Sequence, residues 1–238
     1  MDKLTFSSIV SSGQTDRNGK MKIFSALQWM QDCSVISFMK DAAFCEWLQE
    51  NQVTPVITFR ELEVLRVPSL MEELTCTSFV YDVQGAMGYR NTAIYDTQGN
   101  ACYMTWVLAA YANLETGRLS RIPREVQDAL QFPPRLEMSY GPRKITLPDA
   151  PLTPLEPIRV QRNDIDYNNH VNNAQYIRMA LELLPEGLEV SGLRVEYRKA
   201  VMPGSIISPS IVYSPGKAHI VLAVEDSVCC VIEFTLQS

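Results

Sequence analysis

Between positions 22 and 50, apolar side chains recur every three to four residues, the period of one face of an α-helix. The repeat is set by Ile23, Leu27, Met30 and Phe38. It predicts a long amphipathic helix with an interruption near Lys40 and Asp41.

The residues after this helix alternate in a pattern typical of β-strands, with β-branched and aromatic runs separated by turn residues. Strands are predicted at 55–67, 73–83, 86–96 and 101–113. The segment 96–100 joins the last two runs as a hairpin, because Gly99 can adopt a positive φ.

The middle of the chain loses this periodicity, and eight of its fourteen prolines fall between positions 113 and 157. We interpret this region as a connector with one short helix at 123–130. Beyond it the order of elements repeats, with a strand near 156–162, a helix at 172–184 and four further strands.

A repeated sequence pattern supports an internal duplication. The pattern D-x-N-x-K at 16–20 returns as D-x-N-x-H at 166–170, each time just before the helix. The two copies also occupy the same place in the order of elements, which a chance match of three residues would not explain. A sheet that must bury one face after a helix is expected to wrap around that helix.

The predicted fold is therefore α+β, a tandem (double) hotdog with two antiparallel sheets, each wrapped around a long helix. The expected domains are an N-terminal hotdog at 1–115, a Pro-rich connector at 116–155 and a C-terminal hotdog at 156–238.

Composition narrows the function classes. The net charge of −6 argues against a general nucleic-acid binder, and no apolar run is long enough to span a bilayer. The first 20 residues show no signal-peptide pattern, so we expect a cytoplasmic protein. The six cysteines form no C-x-x-C pair and lie far from both histidines, which favours buried thiols and no metal or other cofactor.

The segment 163–177 carries the candidate chemistry. If the strand and loop before the second helix are extended, Asp166, Asn168 and His170 lie on one side. Asn172 and Gln175 have capping-box spacing, so this trio would stand beside the helix N-terminus, where oxyanion charge is stabilised. A carboxylate, an amide and an imidazole there suit hydrolysis of an activated acyl group by water, with no nucleophilic Ser or Cys in the segment.

Two plainer interpretations stay open. Asp and Asn before a helix are ordinary turn and cap residues, and a single histidine is often only hydrogen-bonded. His219 has no comparable neighbours in sequence, and we expect it on a strand surface.

The segment RNDIDYNNHVNNAQYI at 162–177 resembles the D-x-D-x-N-x-H-V-N-N-x-x-Y segment of the acyl-acyl carrier protein thioesterases. The segments at 88–100, 106–126 and 193–201 are similar in the same order. The resemblance implies a bacterial relative of the plant enzymes that hydrolyses fatty acyl-acyl carrier protein to free fatty acid and carrier protein. It also implies catalytic roles for Asp166, Asn168 and His170, and a turn-shaping role for Asp164.

The same resemblance assigns the active site to the second hotdog and the acyl chain to the first, where Trp29, Met30 and Phe38 could line a tunnel. The implied partner is acyl carrier protein with its phosphopantetheine-linked acyl chain; a homodimer is left open. The sequence departs from the plant pattern at Ala200 and Val201, where those enzymes carry a glutamate and a cysteine.

Two alternatives to this function are retained. The chain could hydrolyse acyl-coenzyme A, or it could be a non-catalytic hotdog that binds acyl groups. The trio at 166–170 disfavours the second alternative, because a binding protein has no need of it.

Overall fold

A computed structural model describes residues 3–237 of the chain. These residues divide into two compact units. The first contains the described residues up to Thr58 together with Glu63–Tyr140, and the second contains Phe59–Leu62 together with the described residues from Gly141 onward. The expected connector is thus shared between the two units.

The first unit contains a long helix, a shorter helix directly after it, and a sheet. Its elements in chain order are β1 (Leu4–Ile9), α1 (Ile23–Met39), α2 (Ala42–Glu50), β2 (Val53–Val64), β3 (Glu73–Gln84), β4 (Met87–Asp96), β5 (Ala101–Asn113) and α3 (Arg124–Ala129). Within β2, Phe59–Leu62 belongs to the second unit. The strands lie in the order β1-β3-β4-β5-β2, and the first three neighbouring pairs are antiparallel.

Burial explains why α1 forms where it does. Ala26, Leu27, Met30 and Cys33 are fully buried on one face of the helix, and α1 packs against β3 and β4. The predicted interruption is confirmed, because α1 ends at Met39 and the carboxylate of Asp41 caps α2 by accepting the Phe44 amide at 3.3 Å.

The second unit repeats this plan with a shorter helix. Its elements are β6 (Thr153–Pro154), β7 (Ile158–Arg159), α4 (Asn173–Glu182), β8 (Val190–Tyr197), β9 (Ile206–Ser214), β10 (Lys217–Val224) and β11 (Ser227–Leu236). The strand order is β8-β11-β10-β9-β6, antiparallel throughout, with β7 paired to β9. No helix among residues 3–237 combines the length and apolar character needed to cross a membrane.

The repeated sequence pattern at 16–20 and 166–170 also has repeated backbone hydrogen bonds. The Asp16 amide donates to the Lys20 carbonyl at 2.8 Å, and the Asp166 amide donates to the His170 carbonyl at 3.0 Å. An isolated β-bridge joins the residues on either side of each turn, Thr15 to Met21 and Ile165 to Val171, and a 3₁₀ turn precedes each at the same offset. The internal repeat therefore extends to individual hydrogen bonds.

An aspartate carboxylate holds each of these turns closed. Oδ1 of Asp16 accepts the Asn18 amide at 2.8 Å, and Oδ1 of Asp166 accepts the Asn168 amide at 2.9 Å. Asp16 Oδ1 accepts the Lys20 amide as well, at 2.9 Å. These are Asx-type bonds, in which a short acidic side chain takes the place of a backbone acceptor.

The expectation that His219 lies on a strand surface is wrong. Its side chain is only 3% exposed, because five consecutive residues of β10, from Ala218 to Leu222, are buried and both faces of the strand are covered. It pairs across the sheet with Glu233, and Nδ1 lies 3.7 Å from Oε2 of that residue. Nε2 lies 3.1 Å from the Ser214 hydroxyl, whereas Nδ1 has no hydrogen-bond partner.

Burial sets the protonation of this pair. It lowers the pKa of His219, and the nearby Glu233 carboxylate offsets only part of that effect. Burial alone would raise the pKa of Glu233, but hydrogen bonds from Arg194 and Lys217 at 2.9–3.0 Å lower it below its usual value. The folded unit thus favours a neutral imidazole beside an ionised carboxylate.

The lowered histidine pKa has a definite consequence for stability. An unfolded chain binds a proton at His219 near the usual pKa of 6.5, whereas the folded chain resists protonation until lower pH. We expect the free energy of unfolding to fall as pH drops below about 6.5, and His219→Gln to make this decline shallower. Urea unfolding at several pH values between 7.5 and 5.5 measures it, and parallel curves for the two proteins would contradict the expectation.

The repeated turn can be tested in the unit that lacks the histidine. Asp16→Ala removes the acceptor of two backbone amides, and we expect it to lower the free energy of unfolding by about 1 kcal/mol. Asp16→Asn keeps one acceptor oxygen and should cost less. Urea denaturation of the three proteins provides the comparison, and an alanine variant as stable as wild type would show that the carboxylate does not hold the turn.

Candidate functional site

The turn before α4 brings Asp166 and His170 together. Nδ1 of His170 lies 3.8 Å from Oδ1 of Asp166 and 3.3 Å from the carbonyl oxygen of Val171. The imidazole is about one-third exposed and the carboxylate 15% exposed. A carboxylate and an imidazole therefore meet at a place that a ligand can reach from outside.

The backbone conformation that brings Asp166 and His170 together differs from the predicted one. We expected an extended segment, but residues 166–170 form a tight turn in which Asn169 adopts a φ of 60°. Asparagine tolerates this left-handed region better than most residues do. The turn folds position 170 back onto position 166, which alternation along a strand could not have done.

Asn168 contributes to this turn through its backbone amide. Its amide donates to Asp166 Oδ1 at 2.9 Å, while the residue as a whole is exposed. The structure thus brings two of the three predicted side chains into contact and leaves the third on the surface beside them.

Helix α4 begins where the sequence predicted, but the cap differs in one respect. Oδ1 of Asn172 accepts the Ala174 amide at 2.9 Å, as expected of an N-cap. The capping-box role of Gln175 is wrong, because its side-chain carbonyl accepts the Nε of Arg178 at 2.6 Å instead. The Arg178 guanidinium, three residues further along α4, takes this oxygen as its acceptor, so the oxygen does not cap the helix.

Asp164 shapes the turn, as expected, and is only 4% exposed. Its two oxygens accept the Gln161 amide at 2.7 Å and the Nη2 of Arg178 at 2.9 Å. Sequence reasoning did not single out Arg178, although a buried acid before a helix signals that a cation on that helix will pair with it. Arg178 ties the turn to α4 and so fixes where the candidate site begins.

The segment after β8 also contacts the site, as the family resemblance implies. The Val171 amide donates to the Val201 carbonyl at 2.9 Å, and the Val201 amide donates to the Tyr176 hydroxyl at 2.9 Å. Ala200 is exposed. At 200–201 this chain therefore places neither a carboxylate nor a thiol next to the histidine.

Two cysteines lie on the neighbouring strand β11, but their chemistry does not suit catalysis. Burial raises the pKa of both Cys229 and Cys230. A thiol must ionise to act as a nucleophile, so both remain in the unreactive form at neutral pH.

This arrangement can perform general base catalysis on water. With the proton of His170 on Nδ1, directed at the Val171 carbonyl and the Asp166 carboxylate, Nε2 carries the free lone pair. The carboxylate then stabilises the imidazolium that forms when Nε2 accepts a proton. The first turn of α4 adds the positive end of a helix dipole beside the pair.

Comparison with known proteins supports the fold and identifies the family. Residues 3–130 match the family described as acyl-ACP thioesterase N-terminal domain, and residues 153–228 match acyl-ACP thioesterase C-terminal domain. Two solved structures align over 99% of this chain. They are an acyl-ACP thioesterase from Bacteroides thetaiotaomicron (20% identity, 98% of that chain, TM-score 0.86) and the 12:0-ACP thioesterase from Umbellularia californica (17%, 97%, 0.87).

A curated relative is similar in sequence over a large part of the chain. The chloroplastic acyl-acyl-carrier-protein hydrolase of Cuphea viscosissima is 30% identical over 178 residues, which is 68% of this chain but 42% of the relative. The chain therefore spans less than half the length of that relative. The structural likenesses confirm the predicted tandem hotdog, and the two domain matches show that the chain belongs to the acyl-ACP thioesterase family.

Proposed function

We propose that this chain hydrolyses the thioester of a fatty acyl chain carried on acyl carrier protein, releasing free fatty acid and the carrier thiol. The observation that carries the proposal is the contact between Asp166 and His170 at the start of α4, with Nδ1 and Oδ1 3.8 Å apart. Family membership supplies the substrate class, since relatives are named as acyl-acyl-carrier-protein hydrolases and thioesterases.

In the proposed reaction, Nε2 of His170 removes a proton from a water molecule as the water oxygen attacks the thioester carbonyl carbon. The carbon–sulfur bond then breaks, and the proton held by the imidazole passes to the departing thiolate. The Val171 carbonyl, 3.3 Å from Nδ1, holds the imidazole in one tautomer, and Asp166 balances its transient positive charge. No covalent acyl-enzyme forms, which agrees with the raised pKa of the Cys229 and Cys230 thiols.

The developing oxyanion is proposed to lie against the first turn of α4 and the side-chain amide of Asn168. The amides of Ala174 and Gln175 already donate to Asn172. Among the first-turn amides of α4, that of Asn173 donates no comparable bond within the described part of the chain. An amide N–H and a carboxamide N–H together could stabilise the charge that appears only in the transition state.

Acyl carrier protein is the proposed partner, and the chain has no need of a metal or organic cofactor in this scheme. Exposed basic residues of the first unit are candidates for contacts with an acidic carrier. These are Arg118, Arg121, Arg124 and Arg135; Arg143 and Lys144 of the second unit are exposed as well. Acidic neighbours are interspersed among them, so any attraction would be local rather than a property of the whole chain.

The test is free fatty acid release from acyl-acyl carrier proteins of several chain lengths, with acyl-coenzyme A assayed in parallel. We expect His170→Ala and Asp166→Asn each to lower kcat by on the order of 10²-fold or more, because both changes remove stabilisation present only in the transition state. Asp16→Asn is the matched control, since it alters the equivalent turn of the first unit and should leave kcat unchanged.

The outcomes separate three conclusions. Activity on carrier-protein donors that depends on both residues supports the proposal. Cleavage of acyl-coenzyme A alone would show that the substrate class is wrong while the chemistry holds. Failure of folded wild-type protein to cleave either donor would overturn the hydrolase assignment and favour an acyl-binding role.

A further inference from the structure

Four neighbouring strands of the second unit carry a row of polar side chains across one face of their sheet. His219 of β10 is paired with Glu233 of β11, which is paired in turn with Arg194 of β8. Ser214, at the end of β9, lies two residues along from the residue paired with His219, so it is a diagonal neighbour on the same face. The strand register therefore places a hydroxyl, an imidazole and a carboxylate next to one another.

The distances along this row fit a nucleophile with its base. Oγ of Ser214 lies 3.1 Å from Nε2 of His219, and Nδ1 on the other side of the ring lies 3.7 Å from Oε2 of Glu233. A hydroxyl within hydrogen-bond reach of an imidazole that is itself backed by a carboxylate is the arrangement that activates serine nucleophiles on unrelated folds. The hydrolysis proposed at His170 uses none of these three residues.

One tautomer of His219 fits these neighbours better than the other. Its Nδ1 is buried and has no hydrogen-bond partner among the described residues. A proton on Nδ1 is attracted by the Glu233 carboxylate, whereas a lone pair there would face a negatively charged oxygen at 3.7 Å. With Nδ1 protonated, Nε2 carries the lone pair and the Ser214 hydroxyl donates to it. The imidazole is then placed to take the hydroxyl proton.

Two cations hold Glu233 in its ionised form. Its Oε1 accepts Nε of Arg194 and Nζ of Lys217, both at 2.9 Å, and its Oε2 accepts Nη2 of Arg194 at 3.0 Å. Glu233 is 4% exposed and His219 3%, so solvent screens the attraction between carboxylate and imidazole only weakly. Burial, together with the two cations, lowers the pKa of His219, which keeps the imidazole neutral and available as a base near neutral pH.

Ser214 is the member of the row that a reagent can reach from outside. It is half-buried, and its neighbours Tyr213, Pro215 and Gly216 are exposed where β9 turns into β10. The described chain on both sides of Ser214 is strand, so no helix begins there to hold an oxyanion. The site therefore suits esters whose leaving group departs readily.

We propose that Ser214 is a second reactive centre, a nucleophile that takes the acyl group of small activated aryl esters with His219 as its base. Oγ of Ser214 forms a bond to the ester carbonyl carbon while its proton passes to Nε2 of His219. The carbon–oxygen bond to the leaving group then breaks, and the departing phenolate takes the proton from Nε2. Water attacks the Ser214 ester with the same base and releases the carboxylic acid. Glu233 stabilises the transient imidazolium, and the reaction does not depend on the Asp166–His170 pair.

Diethyl p-nitrophenyl phosphate traps such a serine, because its phosphoryl group stays on Oγ after p-nitrophenolate has left. We expect the full chain to gain a single diethylphosphoryl group, located at Ser214 by mass spectrometry of its peptides. Ser214→Ala should gain none, and His219→Gln should react roughly tenfold or more slowly. Ser191→Ala is the matched control, because the partly exposed Ser191 hydroxyl donates to the Thr235 carbonyl at 3.3 Å and has no imidazole beside it in that bond. It should react like wild type.

A measurement on wild-type protein keeps the test decisive if His219→Gln does not fold. Urea unfolding separates Ser214 from the imidazole, so Ser214 should react roughly tenfold or more slowly than in the folded chain. His170→Ala should retain full labelling, and its residual hydrolysis of p-nitrophenyl acetate should fall by roughly tenfold when Ser214→Ala is added. Labelling of Ser191 as fast as Ser214, equal rates in the folded and unfolded chain, loss of labelling in His170→Ala, or ester hydrolysis unaffected by Ser214→Ala would each overturn the proposal.

Discussion

The candidate site depends on one interaction, the acceptance of a turn amide by an aspartate carboxylate just before a helix. Without Oδ1 of Asp166, the Asn168 amide would lose its hydrogen-bond partner among the described residues, and residues 166–170 could extend. The turn closes because the carboxylate satisfies that amide while the Asp166 amide reaches the His170 carbonyl. Only in this closed form does the imidazole return to the carboxylate and to the start of α4.

The first unit contains the same turn without the histidine. Its turn has the same carboxylate-to-amide bond and the same left-handed fourth residue, where Gly19 with a φ of 71° stands in place of Asn169. At the histidine position it has Lys20, whose ammonium donates to the Ser69 hydroxyl at 3.0 Å. The first unit therefore has the turn without an imidazole, and only the second unit combines the two.

Much of this could be predicted because local physics determines it. The break between α1 and α2, the hairpin with positive φ at Gly99 and the N-cap at Asn172 all follow from side chains acting on their own backbone. Two errors were local, the extended segment at 166–170 and the capping box at Gln175, where short-range hydrogen bonds favoured another arrangement. The error at His219 arose because its partner is distant in sequence. Strand register places Glu233 opposite His219, a pairing that is invisible before the register is known.

The absence of a carboxylate at Ala200 changes how the remaining acid must act. Asp166 Oδ1 is 2.9 Å from the Asn168 amide but 3.8 Å from the imidazole, so its close hydrogen bond supports the turn and its effect on His170 is mainly electrostatic. Two opposite charges at such a separation attract, and solvent weakens the attraction because the imidazole is about one-third exposed. This attraction is absent while the imidazole is neutral and appears only once it has accepted a proton. In the proposed mechanism, a single carboxylate therefore stabilises the folded turn in every state and also contributes selectively to the transition state, which is the kind of interaction that raises kcat.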